Sequence, residues 1–252
     1  MAMLAIENML PLVKEATQQE VNVLSSCSTA AMATTIIASA AAQTLLETAY
    51  RTELISIQGR YLLHVGAVAE AEHLFRDAQM KWEQACNEAN ADEAAPEVDC
   101  RIVVQHAPAQ LLANEGLLCF AYANYDQAIE CFKKATDCLR SCNLSPVYRS
   151  EDWVGPSVIG VTPHFTLFNE CINNMAICAL YTCRMPEAVN LMESLVREDP
   201  TAFLTERVAF NLCTLYELGC DSTASARKKR VLQLVAKRFF LHDVGPESFR
   251  IA

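Results

Sequence analysis

Three times, the sequence sets a small residue, then an alanine about a dozen residues later. A bulky apolar residue follows four positions on, and another apolar or small residue three after that. The first run is Gly59, Ala71, Phe75 and Ala78. The second is Gly116, Ala128, Phe132 and Ala135. The third is looser, with Ala176, Ala188, Met192 and Leu195, and Pro200 closes it. Steps of four and three keep to one face of a helix. A small residue a dozen positions earlier falls on a preceding helix, where it leaves room for a bulky partner to cross. The spacing therefore predicts antiparallel helix pairs, each locked where a large side chain meets a small one. Unrelated amphipathic hairpins would share it only by chance, and the first two runs match at every key position.

This pattern resembles the tetratricopeptide repeat, a helix–turn–helix unit of about 34 residues. The fold class it predicts is all-α, an α-solenoid of tetratricopeptide-like helical hairpins. Repeats are expected over about 52–85, 109–142 and 169–202, with a divergent pair over 204–240. Residues 1–50 read as N-terminal capping helices and 51–252 as the solenoid. An Ala-rich helix over about 29–49 is expected to pair with another that begins near Arg51. Tyr125, just before Ala128, suits the turn edge of the second unit. Gly59 to Gly116 is 57 residues and Gly116 to Ala176 is 60. Each interval exceeds one repeat by about 25 residues, so the array is irregular. The surplus falls in an acidic, Ala-rich insert over 87–108 and a Pro/Gly-rich insert over 143–163. Both are expected to emerge at one edge.

Composition supports this class. The chain has only 7 Gly and 9 Pro, and strand-like alternation is brief, near Val98–Val104 and Val154–Val161. A net charge of −10 argues against a nucleic-acid partner, which needs a basic footprint. The charge is uneven. Residues 227–252 hold seven Lys/Arg against two Asp/Glu, a net of +5, and residues 1–226 hold thirteen against twenty-eight, a net of −15. The span Val21–Leu46 carries no charge, yet it is mostly Ala, Ser and Thr. Such a run suits close helix–helix contact better than insertion, so no transmembrane segment is expected.

Twelve cysteines would suit an oxidised framework. The opening residues show neither a basic segment nor a cleavage pattern, so reduced thiols are expected. Most cysteines sit in apolar helical runs, where a free thiol packs as a small hydrophobe. Cys138 and Cys142 are four apart, but no second pair or nearby His completes a zinc site. The five histidines form no metal-binding motif. No nucleophile elbow, Walker loop or dinucleotide fingerprint is present. Neither a cofactor nor an enzymatic activity is expected.

In the repeat family the first helix of each pair lines a concave groove. The groove positions here are Glu53, Ser56, Arg60, Leu63 and His64, then Gln110, Ala113, Leu117, Phe120 and Ala121, then Glu170, Asn173, Ile177, Leu180 and Tyr181. Chaperone-binding members clamp a peptide carboxylate with Lys, Arg and Asn at such positions. Arg60 and Asn173 are present, but the full basic set is not. The groove turns apolar through Leu117, Phe120, Ile177, Leu180 and Tyr181, which suits an amphipathic helix. The same residues would equally bury against the chain's own helices. A soluble peptide receptor or co-chaperone is the alternative function.

The C-terminal third is more distinctive. It contains Asn173-Asn174-Met175-Ala176-Ile177-Cys178-Ala179-Leu180-Tyr181, then Met192-Glu193, then Asp199-Pro200. Phe210-Asn211-Leu212-Cys213-Thr214-Leu215-Tyr216-Glu217-Leu218 follows. A basic run comes next, Arg227, Lys228, Lys229 and Arg230, and Ser248-Phe249 lies near the end. This series resembles the C-terminal part of the subunit 12 family of the transport protein particle (TRAPP) complex. The resemblance covers about 109–252, and the long polar N-terminal extension of animal members is not in this sequence. It implies a non-catalytic subunit of a TRAPP III-type complex, cytoplasmic and peripheral at Golgi and endoplasmic reticulum–Golgi intermediate membranes. Its partners would be the large subunits 8 and 11 and the small core subunits, with a Rab GTPase reached indirectly. The basic run would face an acidic partner or a membrane. Read alone, it also fits a nuclear-import signal or a solvated helix face.

Overall fold

The computed structural model describes residues 40–91, 102–141 and 164–250. The fold is an all-α solenoid. Among the described residues there are nine α-helices, one 3-10 turn and no strand. Helix α1 (Ala40–His64) pairs with α2 (Val68–Ala91), α3 (Ile102–Ala121) with α4 (Tyr125–Ser141), and α5 (His164–Tyr181) with α6 (Met185–Glu198). A single turn of helix, α7 (Pro200–Phe203), leads into the fourth pair, α8 (Glu206–Gly219) and α9 (Ser222–Arg238). The 3-10 turn Pro246–Phe249 folds back onto α8 and α9.

Three of the pairs share one turn. Gly66, Ala123 and Cys183 each adopt a left-handed backbone, with φ of 83°, 58° and 60°. The next residue's N–H reaches back five positions. Ala67 donates to the Leu62 carbonyl at 2.9 Å, Asn124 to Cys119 at 2.8 Å and Arg184 to Ala179 at 2.7 Å. This closes the first helix with a Schellman-type cap, and the same residue opens the second helix. Only the first of the three turns uses glycine. Ala123 and Cys183 bear a left-handed cost of roughly 1–2 kcal/mol each, which the packed helices on both sides hold in place.

The crossing points are built as the spacing predicts. A Cβ added at Gly59 would lie 2.0 Å from the Phe75 ring, and one at Gly116 would lie 2.7 Å from the Phe132 ring. Ala71, Ala78, Ala128 and Ala135 are all buried around them. In the third pair Ala176 and Met192 take the same places and both are buried. A thioether chain bends where a ring cannot, so a methyl is tolerated there.

Element bounds differ from the sequence reading in three places. Helix α1 runs unbroken through Arg51, where a division is expected. It contains no glycine or proline before Gly59, and Tyr50, Leu54 and Ile55 bury on one face. Helix α3 begins before Pro108 rather than after it. The proline forfeits one backbone bond, while Val104, Ala107 and Leu111 bury against the first pair and offset it. Ile102–Val104, in the segment of brief alternation, is therefore helical. Pro200 ends one helix and starts another, because Asp199 accepts hydrogen bonds from the N–H groups of Thr201 and Ala202. The expected capping helices lie largely outside the described residues, and so do 92–101, the middle of the first insert, and 142–163, which holds all of the second. Most of the uncharged span also lies outside them. No helix among the described residues is long and apolar enough to cross a membrane.

Buried side chains form two clusters. One gathers α1, α2 and the start of α3 around Leu46, Tyr50, Ala78 and Trp82. The larger runs from Ala109 through α9 to Phe249.

Candidate functional site

The first helices of the pairs are joined by a polar ladder. Asn114 Nδ2 donates to Ser56 Oγ at 2.8 Å and joins α3 to α1. Gln110 Nε2 donates to Asn114 Oδ1 at 3.1 Å. Arg60 Nη1 reaches Glu170 Oε2 at 3.2 Å, which ties α1 to α5, and Arg207 from α8 lies 3.5 Å from the other oxygen of Glu170. Asn211 Nδ2 donates to Asn173 Oδ1 at 2.7 Å, between α8 and α5. Two residues of the partial carboxylate clamp are thus already engaged. Arg60 sits between Glu53 and Glu170, and Asn173 holds Asn211.

The apolar groove residues have mixed surroundings. Leu117, Phe120 and Leu180 are half-buried and pack against the larger core. Ile177 is half-buried, and Tyr181 is exposed. The Tyr181 ring stacks on Tyr125 with centroids 5.0 Å apart, and both meet Phe120 edge-on at 5.4–5.6 Å. These contacts join the second and third pairs at their turn edge. Of the five residues, Ile177 is the least committed to the chain's own packing, and Tyr181 is the most exposed.

The basic run divides by helical geometry. Lys228 Nζ bonds Glu193 Oε1 of α6 at 2.9 Å and sits 4.8 Å above the Tyr216 ring. Lys229 is buried, pairs with Glu217 and donates to the Arg250 carbonyl at 3.1 Å. Arg227 and Arg230 are exposed and make no ion pair with a described residue. Two of the four cations therefore hold the fold, and two remain for a partner. Sequence reasoning misses this division, because the partners of Lys228 and Lys229 lie 35 and 12 residues away.

The distinctive stretch 208–218 is the hub of this end. Asn211 holds the third pair, Leu212 and Cys213 fill the core, and Tyr216 donates to Glu193 Oε1 at 3.1 Å. Thr214 accepts from Arg250, whose guanidinium also covers the Phe210 ring at 5.1 Å. Phe249 is buried in the same core, and Ser248 reaches Glu206. Its polar members reach α5, α6, α9 and Arg250 just after the 3-10 turn.

Glu193 also meets Arg197. Burial works to raise its pKa, but Lys228, Tyr216 and Arg197 outweigh it and the net shift is downward. A carboxylate whose folded pKa lies below its unfolded value stabilises the fold above the unfolded pKa, near 4.5 here. That contribution is lost as pH falls through the folded value. Glu193→Gln should cost about 1–2 kcal/mol at pH 7, in line with charge-assisted bonds discounted for half-exposed partners. The gap from the wild type should close on acidification below pH 4. Urea unfolding at several pH values measures it, and a gap independent of pH would refute the assignment.

Burial pushes the Cys131 and Cys171 thiols up to about 12, and Cys178 and Cys213 up to about 11. Such groups stay protonated at neutral pH and make poor nucleophiles. The nine described cysteines are free. No group of three or more His, Cys, Asp or Glu among the described residues could hold a metal ion.

The hub and its basic helix lie in the part of the chain with the most distinctive sequence. The chain is similar to trafficking protein particle complex subunit 12. Identity to the Mus musculus protein is 27% over 187 residues, which is 74% of this chain and 18% of the mouse protein. Identity to the Homo sapiens protein is 42% over 60 residues, which is 24% of this chain and 8% of the human protein. The match spans less than a fifth of either relative. No family model matches the chain. No solved structure matches it.

Proposed function

We propose that the chain is a non-catalytic scaffold subunit of a TRAPP III-type vesicle-tethering complex. It would serve endoplasmic reticulum-to-Golgi traffic and autophagy and link the large peripheral subunits 8 and 11 to the Rab-activating core. The helix pairs are read as tetratricopeptide units, with 1–50 as a capping region and 51–252 as the repeat domain. The observation that carries the reading is the similarity across three quarters of the chain to subunit 12 of mouse. The stacked helical hairpins support it, since each pair offers surface on two sides to other chains. The candidate contacts are Ile177 and Tyr181 on the inner groove, with Leu117, Phe120 and Leu180 behind them, and Arg227 and Arg230 on the last helix. Residence would be cytoplasmic and peripheral at Golgi membranes.

A peptide-receptor role is disfavoured, because Arg60 and Asn173 already have partners within the chain. A tagged full chain expressed in its native cells tests the proposal. It should co-purify with TRAPP subunits at fixed stoichiometry, read by mass spectrometry. Recovery of chaperones alone, or of nothing, would overturn it.

A further inference from the structure

Helices α6 and α9 do not close on each other. Between them runs a seam of about 430 Å³. Leu212 and Leu232 form its floor, Val196 with the ion-paired Glu193 and Arg197 one wall, and Val231 and Val235 the other. The floor and Val196 are buried, but the α9 wall opens to solvent. Val231 is 59% exposed, and Leu234, one turn further along α9 and outside the seam's lining, is 63% exposed. Isolated exposed apolar residues are ordinary on a protein surface. One that lines a concavity, with a second a turn further along the same helix, is less so.

The charge on this ridge is specific. Lys228 and Lys229 are neutralised within the fold. Four cations of α9 make no ion pair with a described residue, Arg227, Arg230, Lys237 and Arg238; of these, Arg227 lies one turn before Val231 and Arg238 one turn after Leu234. They bracket the apolar strip. Eleven residues at the helical rise separate them by roughly 16 Å. The rest of the chain, over 1–226, carries a net charge of −15. A basic ligand would be drawn elsewhere, and an acidic one is steered to this ridge.

We infer that the α6–α9 seam is a docking groove for an acidic amphipathic helix of another polypeptide. Apolar side chains of the guest, three and four apart, enter over Leu212, Leu232 and Val235. Guest carboxylates about eleven residues apart meet Arg227 and Arg238. A concave floor between two helices fits a rod rather than a plane, which favours a helix over a lipid surface. The seam carries this inference whichever assembly the chain joins.

A phage-displayed library of random 16-residue peptides, selected on the immobilised full chain, tests it. Enriched peptides should be acidic with apolar residues at helical spacing. Labelled copies should bind at least tenfold more weakly to Val231→Asp/Leu234→Asp and to Arg227→Glu/Arg238→Glu by fluorescence anisotropy. All four side chains are exposed, so both variants should keep the wild-type melting temperature. Higher salt should weaken binding, and exchanging Glu for Lys in the peptide should abolish it. The inference is overturned by no enrichment, by basic or non-helical selections, or by binding that both variants retain. It is likewise overturned if phosphatidylserine vesicles bind the ridge and displace the peptide. Self-association in sedimentation that the same substitutions disrupt would overturn it in favour of a second copy.

Discussion

Phe132→Ala is expected to lower the free energy of unfolding by about 3–5 kcal/mol. The ring is fully buried, lies against Gly116 and sits in the larger of the two cores. Truncation loses its transfer free energy and also leaves a hole. Collapse into that hole is limited, since Gly116 has no side chain to move and Ala128 and Ala135 are too small to refill it. Total stability for a domain is typically about 5–15 kcal/mol, so the variant should sit close to unfolding. The measurement is the urea midpoint followed by helical circular dichroism, with the slope checked for change. A loss under about 1 kcal/mol would mean that the crossing of α3 and α4 is not locked by this ring.

Gly59→Ala tests the same lock from the other side, and the sign of its effect is diagnostic. In an ordinary helix interior this change stabilises by about 1 kcal/mol. Here the new methyl would lie 2.0 Å from the Phe75 ring. Either the ring leaves its rotamer or α1 and α2 move apart, and such overpacking typically costs about 1–3 kcal/mol. A net loss of about 1–2 kcal/mol is expected. Adding Phe75→Met should recover more than half of it, because that pair reproduces Ala176 and Met192 of the third unit. A double-mutant cycle reads the coupling directly. If Gly59→Ala raises the melting temperature, the close approach is refuted.

These two sites were legible in the sequence for a physical reason. A crossing of two adjacent helices is a local event, written within about twenty residues as a small residue and a ring at fixed spacing. The helix ends were less legible. Pro108 reads as a boundary, but whether a helix runs through a proline depends on what its other residues bury. The unbroken α1 depends likewise on Tyr50, Leu54 and Ile55 finding a core that α2 and α3 supply. The candidate contacts were legible only as residue types. Arg227 through Arg230 look alike in sequence, and the fold divides them by giving Lys228 and Lys229 partners on other elements. The α6–α9 seam left no sequence signal, since it arises from how two helices outside a common hairpin fail to meet.

Helix α3 has a mechanical consequence. Over 104–113 it sends Val104, Ala107 and Leu111 into one core and Ala109 and Ala113 into the other. In a stacked array each unit packs mainly on its neighbours, so a load applied at the ends is carried largely in series. Here the Arg60–Glu170 ion pair ties the first pair directly to the third. Among the described helices, α3 alone contributes buried side chains to both clusters. It is therefore the apolar beam through which a pull on one end reaches the other, and rigidity across the array depends on how firmly that helix is gripped by both cores, with the Arg60–Glu170 ion pair as a polar strut beside it.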